Sequence, residues 1–438
     1  MSDIHITREL LRAVARGELS ERALAQIQAR HLESLCPFCR QEIRAWQEEE
    51  KAGPGGHGYI LQTLTTVLGR HAPDFAARVR EAERDLQDLL AVPREDRLSR
   101  IDRARSRFRG PFLAERLIRE SRRRTPADPE EGFHLADLAR TVVHRSPDNP
   151  ESSSLVALAT AQMANACRAA GDLRRADEHF RHVRHFNLHE GVTDPLVVGQ
   201  IDHLEGSLRK DQRRFLEAEA LLIRSAMLFR ISGDGVGTGR VLLKLGTVFF
   251  QQGQLGGAIE TTKAALERLS PETEPRLYLH GRHNLALYLT EAGHHNQAAE
   301  LVALDEDLYH QFPEPWTQLR LSWLRGKIAA GQGDTGTAER LFLETRDGFV
   351  RQGIGYDAAM VSLDLTRIYL KEGRTADVQR LAGEMVAIFE AQDVHRETMA
   401  ALLLFQDAAR REEVTAGLVR ELTLYLEAAR VDPGSRGR

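Results

Sequence analysis

From about residue 155 to residue 430, apolar side chains recur at the three-and-four spacing of helices with one buried face, and these helices come in pairs. In "ANACRAAGDLRRADEHF", "GTVFFQQGQLGGAIETT", "ALYLTEAGHHNQAAELV", "GKIAAGQGDTGTAERLF" and "TRIYLKEGRTADVQRLA" an apolar helix runs into a Gly-containing turn, and a second helix follows. A small residue of the second helix falls at Ala176, Ala218, Ala258, Ala298, Ala338 and Val378, at spacings of 42, 40, 40, 40 and 40. The turn glycine recurs at Gly171, Gly253, Gly293, Gly333 and Gly373, and a small residue at Ala164, Gly206, Gly246, Ala286 and Gly326 precedes the second-helix position by twelve. Small side chains let the two helices of a hairpin approach closely, and Gly supplies a left-handed C-cap between them. The pattern predicts an all-α fold, an α-solenoid of about six or seven 40-residue hairpins.

These residues resemble the tetratricopeptide repeat over roughly residues 155–430, with a period about six residues longer than the family's ~34. The resemblance implies a helical array that binds other proteins, and it leaves the ligand open. It also implies which first-helix positions line the concave side: six before, three before, one after and four after the small residue, with their neighbours. On that basis the groove holds Asn165, Arg168, His203, Lys210, Arg240, Lys244, His283, Asn284, Arg320, Trp323, Lys327 and Arg367. Formal net charge is −4, so a basic excess on one face favours an acidic peptide or protein segment. Asn284 is placed to hydrogen-bond a peptide backbone, as groove asparagines of the family do.

At the amino end the pattern changes to three short helices. The first runs from Ile6 to Val14 and is broken at "GELSE"; the second is capped by Ser20 and reaches His31; the third starts near Pro37. Two of the three cysteines in the chain, Cys36 and Cys39, sit at the start of that third helix. A tetrahedral zinc site needs four ligands; Cys36 and Cys39 supply two, and His31 and His5 complete the set His5-x25-His31-x4-Cys36-x2-Cys39. A closed structural Zn2+ would fasten a segment too small for its own core, contributing on the order of 10–16 kcal/mol. A reduced dithiol and simple packing are the other readings of the pair. The arrangement resembles the zinc-binding anti-sigma domain of bacteria over residues 5–50, with four residues instead of three between His31 and Cys36. That resemblance implies a head that occludes a sigma factor, with His5, His31, Cys36 and Cys39 as its ligands.

Domain boundaries follow the breaks: head 1–50, Gly/Pro linker 51–58, a helical connecting region 59–151 whose Ala136 hints at a degenerate repeat, the array 152–430, and a disordered tail 431–438. No signal peptide or apolar run of membrane-spanning length is present, which places the chain in the cytosol. "HFRHVRHFNLH" reads as a surface face that lacks a carboxylate or Cys partner for a metal. The Arg-rich "RARSRFRGPFLAERLIRESRRRT" lacks the aromatic platform that nucleic-acid binding uses. Cys167 is expected to be buried, and Trp316 and Trp323 to serve as core and groove wall. No nucleophile, base and electrophile set emerges. The expectation is a non-enzymatic interaction regulator, with an assembly scaffold as the alternative.

Overall fold

The computed structural model describes residues 73–431, apart from 105–106, 146–151, 191, 193 and 391–395. The head, the linker and residues 432–438 lie outside the described residues, and with them His5, His31, Cys36 and Cys39. Among the described residues there is no strand. The helices are α1 (Pro73–Leu90), α2 (Arg97–Arg103), α3 (Pro111–Arg124), α4 (Pro129–His144), α5 (Ser152–Ala170), α6 (Leu173–Glu190), α7 (Pro195–Asp211), α8 (Phe215–Ile231), α9 (Gly235–Gln251) and α10 (Leu255–Leu266). They continue with α11 (Pro275–Glu291), α12 (His295–Leu304), α13 (Glu306–His310), α14 (Pro315–Gln332), α15 (Thr335–Arg351), α16 (Gly355–Lys371), α17 (Thr375–Glu390), α18 (Arg396–Arg410) and α19 (Ala416–Val431). This is an all-α repeat fold of the solenoid class, built from consecutive helical hairpins. No described helix is long and apolar enough to cross a membrane.

The hairpin α14/α15 shows why the sequence folds this way. Pro315 occupies the first turn of α14, where its missing N–H costs nothing. Gly333, at φ 87°, ends the helix: its N–H donates to Ala330 O at 3.3 Å, and Asp334 N–H donates to Ala329 O at 3.0 Å. That pair of bonds is the Schellman closure, and the left-handed residue it needs is cheapest as Gly. Asp334 then caps α15 by accepting from Thr337 N–H at 3.0 Å. The same closure recurs at Gly253, Gly293, Gly353 and Gly373. Where the glycine is missing the chain still adopts the turn, with Arg213 at φ 58° and Glu412 at φ 59°.

The recurring small residues sit where the helices meet. Ala176, Ala218, Ala258, Ala298 and Ala338 are fully buried, and Val378 nearly so. At Gly326 a methyl group would stand 2.6 Å from the Phe342 ring, so the close approach of α14 and α15 requires the absence of a side chain. Ala136 is likewise fully buried, on α4 of the hairpin α3/α4, where Ser121 Oγ donates to Gly132 O at 2.6 Å.

The chain divides into two compact units. Within the described residues the first takes the chain up to Ala170, Arg174–Leu208 and Arg224–Asp234; the second takes Gly171–Leu173, Arg209–Ile223 and everything from Gly235 on. Leu89, Ile101, Leu117, Leu135 and Val142 form part of the first core. Beside it, buried Glu131 accepts from Arg97 at 2.7 Å, Arg94 at 3.1 Å and Arg124 at 3.2 Å. In the arginine-rich stretch, Arg107 is held by Asp85 and Asp88, Arg123 by Glu120, and Arg124 by Glu120 and Glu131, so much of it is committed to internal ion pairs. Cys167 is buried at 4% exposure. In the second unit one cluster packs around Phe342, Phe349, Tyr369, Phe389 and Phe405, and another around Tyr288, Tyr309 and Leu324.

One hairpin departs from the pattern. The second helix of the fourth repeat breaks between Leu304 and Glu306, giving α12 and α13. Asp305 at the break accepts twice from Arg282 Nε of α11, at 2.7 and 3.0 Å, and Leu304 is left 78% exposed. Asp305 is 8% exposed, and a buried carboxylate needs the partner that Arg282 supplies.

Candidate functional site

In the second unit, the first helices α9, α11, α14 and α16 carry most of the side chains expected to face a ligand. On α11, His280 and Asn284 lie one turn apart, and the Asn284 amide donates to His280 Nε2 at 3.1 Å. That bond requires the imidazole to be neutral with Nε2 unprotonated. Crowding by protein atoms, then the charges of Arg320 and Lys244, lower the His280 pKa to about 4. His280 is an exposed residue, so incomplete desolvation acts together with the two cations. The charges of Lys244 and Arg320 thus act on His280, which Asn284 holds, and one turn beyond Asn284 on α11 buried Tyr288 stacks on Phe250 at 4.7 Å between centroids. Arg320 also lies over the ring of Trp316, 5.7 Å from its centroid.

His283 behaves differently. It is buried, its Nδ1 stands 2.9 Å from Tyr309 Oη, and burial, then Arg320 and His280, hold it neutral, well below the usual imidazole range. It anchors α13 and does not present its ring to a ligand.

Further along, the charged groups interlock. Lys327 Nζ donates to Glu291 Oε1 at 3.0 Å and lies 3.2 Å from Asp364 Oδ2. Asp364, 7% exposed, also accepts from Trp323 Nε1 at 2.8 Å and from Arg367 Nη1 at 2.7 Å, and Arg367 Nη2 reaches Thr423 Oγ1 at 3.1 Å. Burial of the Lys327 ammonium opposes its charge, but Asp364 and Glu291 outweigh burial and raise its pKa above the ordinary lysine value. Trp323 packs edge-on against Phe349 at 6.0 Å, while Lys327 Nζ sits 5.8 Å above its indole.

The remaining predicted positions are also engaged. Arg240 lies 4.0 Å from Glu274, and Lys210 pairs with its neighbour Asp211. In the first unit, nearly buried Asn165 accepts from Arg168 Nε at 3.1 Å and Nη2 at 3.0 Å, and His203 is half-buried on α7. Chemically the second-unit face offers amide and cationic donors, carboxylates and aromatic walls, which suits recognition. Among the described residues, no group of three or more His, Cys, Asp or Glu could hold a metal ion.

No protein-family model matches the chain, and no curated protein matches it. Among solved structures it is similar to a Rap protein complexed with Competence and Sporulation Factor, with a TM-score of 0.55 and 15% identity over 73% of this chain and 87% of that one. It is also similar to aspartyl phosphate phosphatase F from Bacillus subtilis, with a TM-score of 0.49 and 11% identity over 89% and 96% of the two chains. The apo form of RapI gives a TM-score of 0.49 and 10% identity over 74% and 99%. At such identity, the likeness to the Rap complex concerns the fold alone.

The sequence reading found the cations of this face and missed most of the carboxylates that answer them. Glu291, Glu274 and Asp364 occupy none of the repeat's expected ligand-facing positions. The basic excess inferred from Arg240, Lys327 and Arg367 is therefore offset by Glu274, Glu291 and Asp364 on the same helices or at their ends. The signal lay in plain view at Glu291, one turn beyond Leu287, but carboxylates at helix ends are ordinary and nothing in a local pattern pairs them with Lys327, 36 residues on.

Proposed function

We propose that this chain is a non-enzymatic interaction regulator whose second-unit repeats bind a peptide or an extended protein segment. The observation that carries the reading is that Lys244, Arg320 and the Asn284 amide converge on His280 from the adjacent first helices α9, α14 and α11. A Rap protein of similar fold was solved in complex with Competence and Sporulation Factor, which supports binding as the work of such an array. An acidic side chain or terminal carboxylate of the ligand docks toward Lys244 and Arg320, the two cations whose charges act on His280. Asn284, 6% exposed, then releases His280 and hydrogen-bonds the part of the ligand backbone that reaches it.

The test is fluorescence anisotropy on a peptide array in which each acidic sequence has a charge-reversed twin. Acidic members should bind, weaken with added salt, and lose about tenfold or more on Asn284→Ala or Lys244→Glu. Equal binding of the twins would remove the charge argument, and no binding at all would remove the array's role.

For the amino-terminal head we propose a structural Zn2+ held by His5, His31, Cys36 and Cys39, presenting a cytosolic partner-binding surface of which a sigma factor is one candidate. The ligand spacing and the two soft thiolates support it. Metal analysis and affinity purification on the wild type and on a Cys36→Ser, Cys39→Ser variant decide the matter; a variant that keeps both metal and partners ends the proposal.

A further inference from the structure

The first unit contains a cavity of about 390 Å3 among α4, α5 and α6, within the range of small-molecule sites. Val156, Met163, Val183 and Phe186 form its apolar wall. The polar part of the lining is Arg140, His144, His179 and His182, with Thr160, and no carboxylate lines it. Thr160 donates its hydroxyl to Val156 O at 2.8 Å, so toward the cavity it is an acceptor. Arg140 donates through Nε and Nη2 to Asp137, and its Nη1 takes part in neither bond.

His179 is out of character for its place in the repeat. At the equivalent position of the later second helices stand Leu221, Thr261, Leu301, Leu341 and Leu381. Four leucines and a threonine show what packing prefers there, and a half-buried imidazole packs less well than any of those leucines. The groups around it are mostly positive as well. Burial first, then Arg175, His182 and Arg140, press the His179 pKa below the imidazole value, and Glu178 opposes them least. A half-enclosed space with apolar walls, an arginine whose Nη1 is outside the Asp137 pair and imidazoles in its lining suits an anion that also has something to bury.

We propose that this cavity binds a small monoanion with an apolar body, a medium-chain or aromatic carboxylate, with the carboxylate at Arg140 and His179 and the body against Met163, Val183 and Phe186. The site is independent of the peptide-binding face. The ligand gains charge-assisted hydrogen bonds and removes apolar surface from water.

Calorimetric titration of octanoate into the full-length protein tests it, with octylamine as the charge-reversed probe. A ligand of that size should bind with about millimolar affinity or tighter, and octylamine should not bind. His179→Leu, which installs the repeat's usual residue, and Arg140→Gln should each weaken octanoate by about tenfold, and Met163→Trp should fill the space and abolish binding. Circular dichroism checks the fold; should Met163→Trp not fold, the other two variants carry the test. The proposal fails if octanoate produces no heat at about ten times the expected Kd, if octylamine binds as well, or if His179→Leu and Arg140→Gln both bind octanoate like the wild type.

Discussion

Replacing Lys327 by Met removes the one cation that Glu291 and Asp364 share, and its cost can be worked out from the structure. Breaking a buried ion pair by deleting one partner typically costs about 3–5 kcal/mol, because the surviving charge stays desolvated. Two features reduce that figure here. The Lys327 side chain is 18% exposed and Glu291 is 38% exposed, so water reaches part of the cluster. Asp364 also keeps the Trp323 indole N–H at 2.8 Å and Arg367 at 2.7 Å. We therefore expect a loss of about 2 kcal/mol, of the size given by losing one charged hydrogen-bond partner from a network that remains partly satisfied. In a unit of this size that corresponds to a fall in Tm of about 4–8 °C. Urea denaturation followed by tryptophan fluorescence is a suitable assay, because Trp323 lies under the ammonium and Trp316 is on the same helix. Asp364→Asn completes a double-mutant cycle and should show coupling of about 1 kcal/mol or more. A loss under about 0.5 kcal/mol with no coupling would mean that this ion cluster behaves as a solvated surface pair, and that Lys327 is available to a ligand after all.

Gly326→Ala places a methyl 2.6 Å from the ring of Phe342, itself 1% exposed, and should cost about 2 kcal/mol by overpacking. Gly256→Ala, where nothing lies within 4 Å, should be neutral or stabilising by up to about 1 kcal/mol in the same denaturation experiment. Arg213→Gly relieves a left-handed arginine at φ 58° but gives up its stacking on Phe215 at 5.3 Å; the expected net is a stabilisation of about 0.5 kcal/mol, visible as a raised urea midpoint. Hydrogen bonds from Arg123, then Arg124, outweigh burial and lower the Glu120 pKa from its ordinary 4.5 to about 2. A depressed carboxyl stabilises the fold above its unfolded pKa and loses that contribution as pH falls through the folded one. Glu120→Gln should thus cost about 1 kcal/mol at neutral pH, discounted because Arg123 is 68% exposed, and the gap to the wild type should close as pH drops from 4.5 to about 2.

What the sequence revealed was the part of the structure fixed by steric need. A left-handed turn and a point of helix contact admit few residue types, so Gly333 and Ala338 announce themselves and repeat every 40 residues. The charged face is another matter. Which carboxylate meets Lys327 depends on how α11, α14 and α16 stack, and partners 36 and 37 residues apart leave no local trace. His283 illustrates the same limit. The repeat register sends it toward a ligand, but the break at Asp305 brings Tyr309 to its Nδ1 and turns it into part of the core.

Departures from the repeat carry more information about function than the repeat itself. In an array, stability is close to a sum of hairpin and nearest-neighbour terms, so an unfavourable residue in one hairpin is charged to that hairpin and its neighbours. Such a fold can hold a left-handed arginine at Arg213, a broken second helix at Asp305 or an imidazole in a leucine's place at His179 without losing the rest. The sibling hairpins act as internal controls, showing what packing alone would choose at each position. Where a choice lowers stability and also creates a feature that packing does not need, as His179 does beside a cavity with no carboxylate in its lining, ligand binding supplies the missing physical reason.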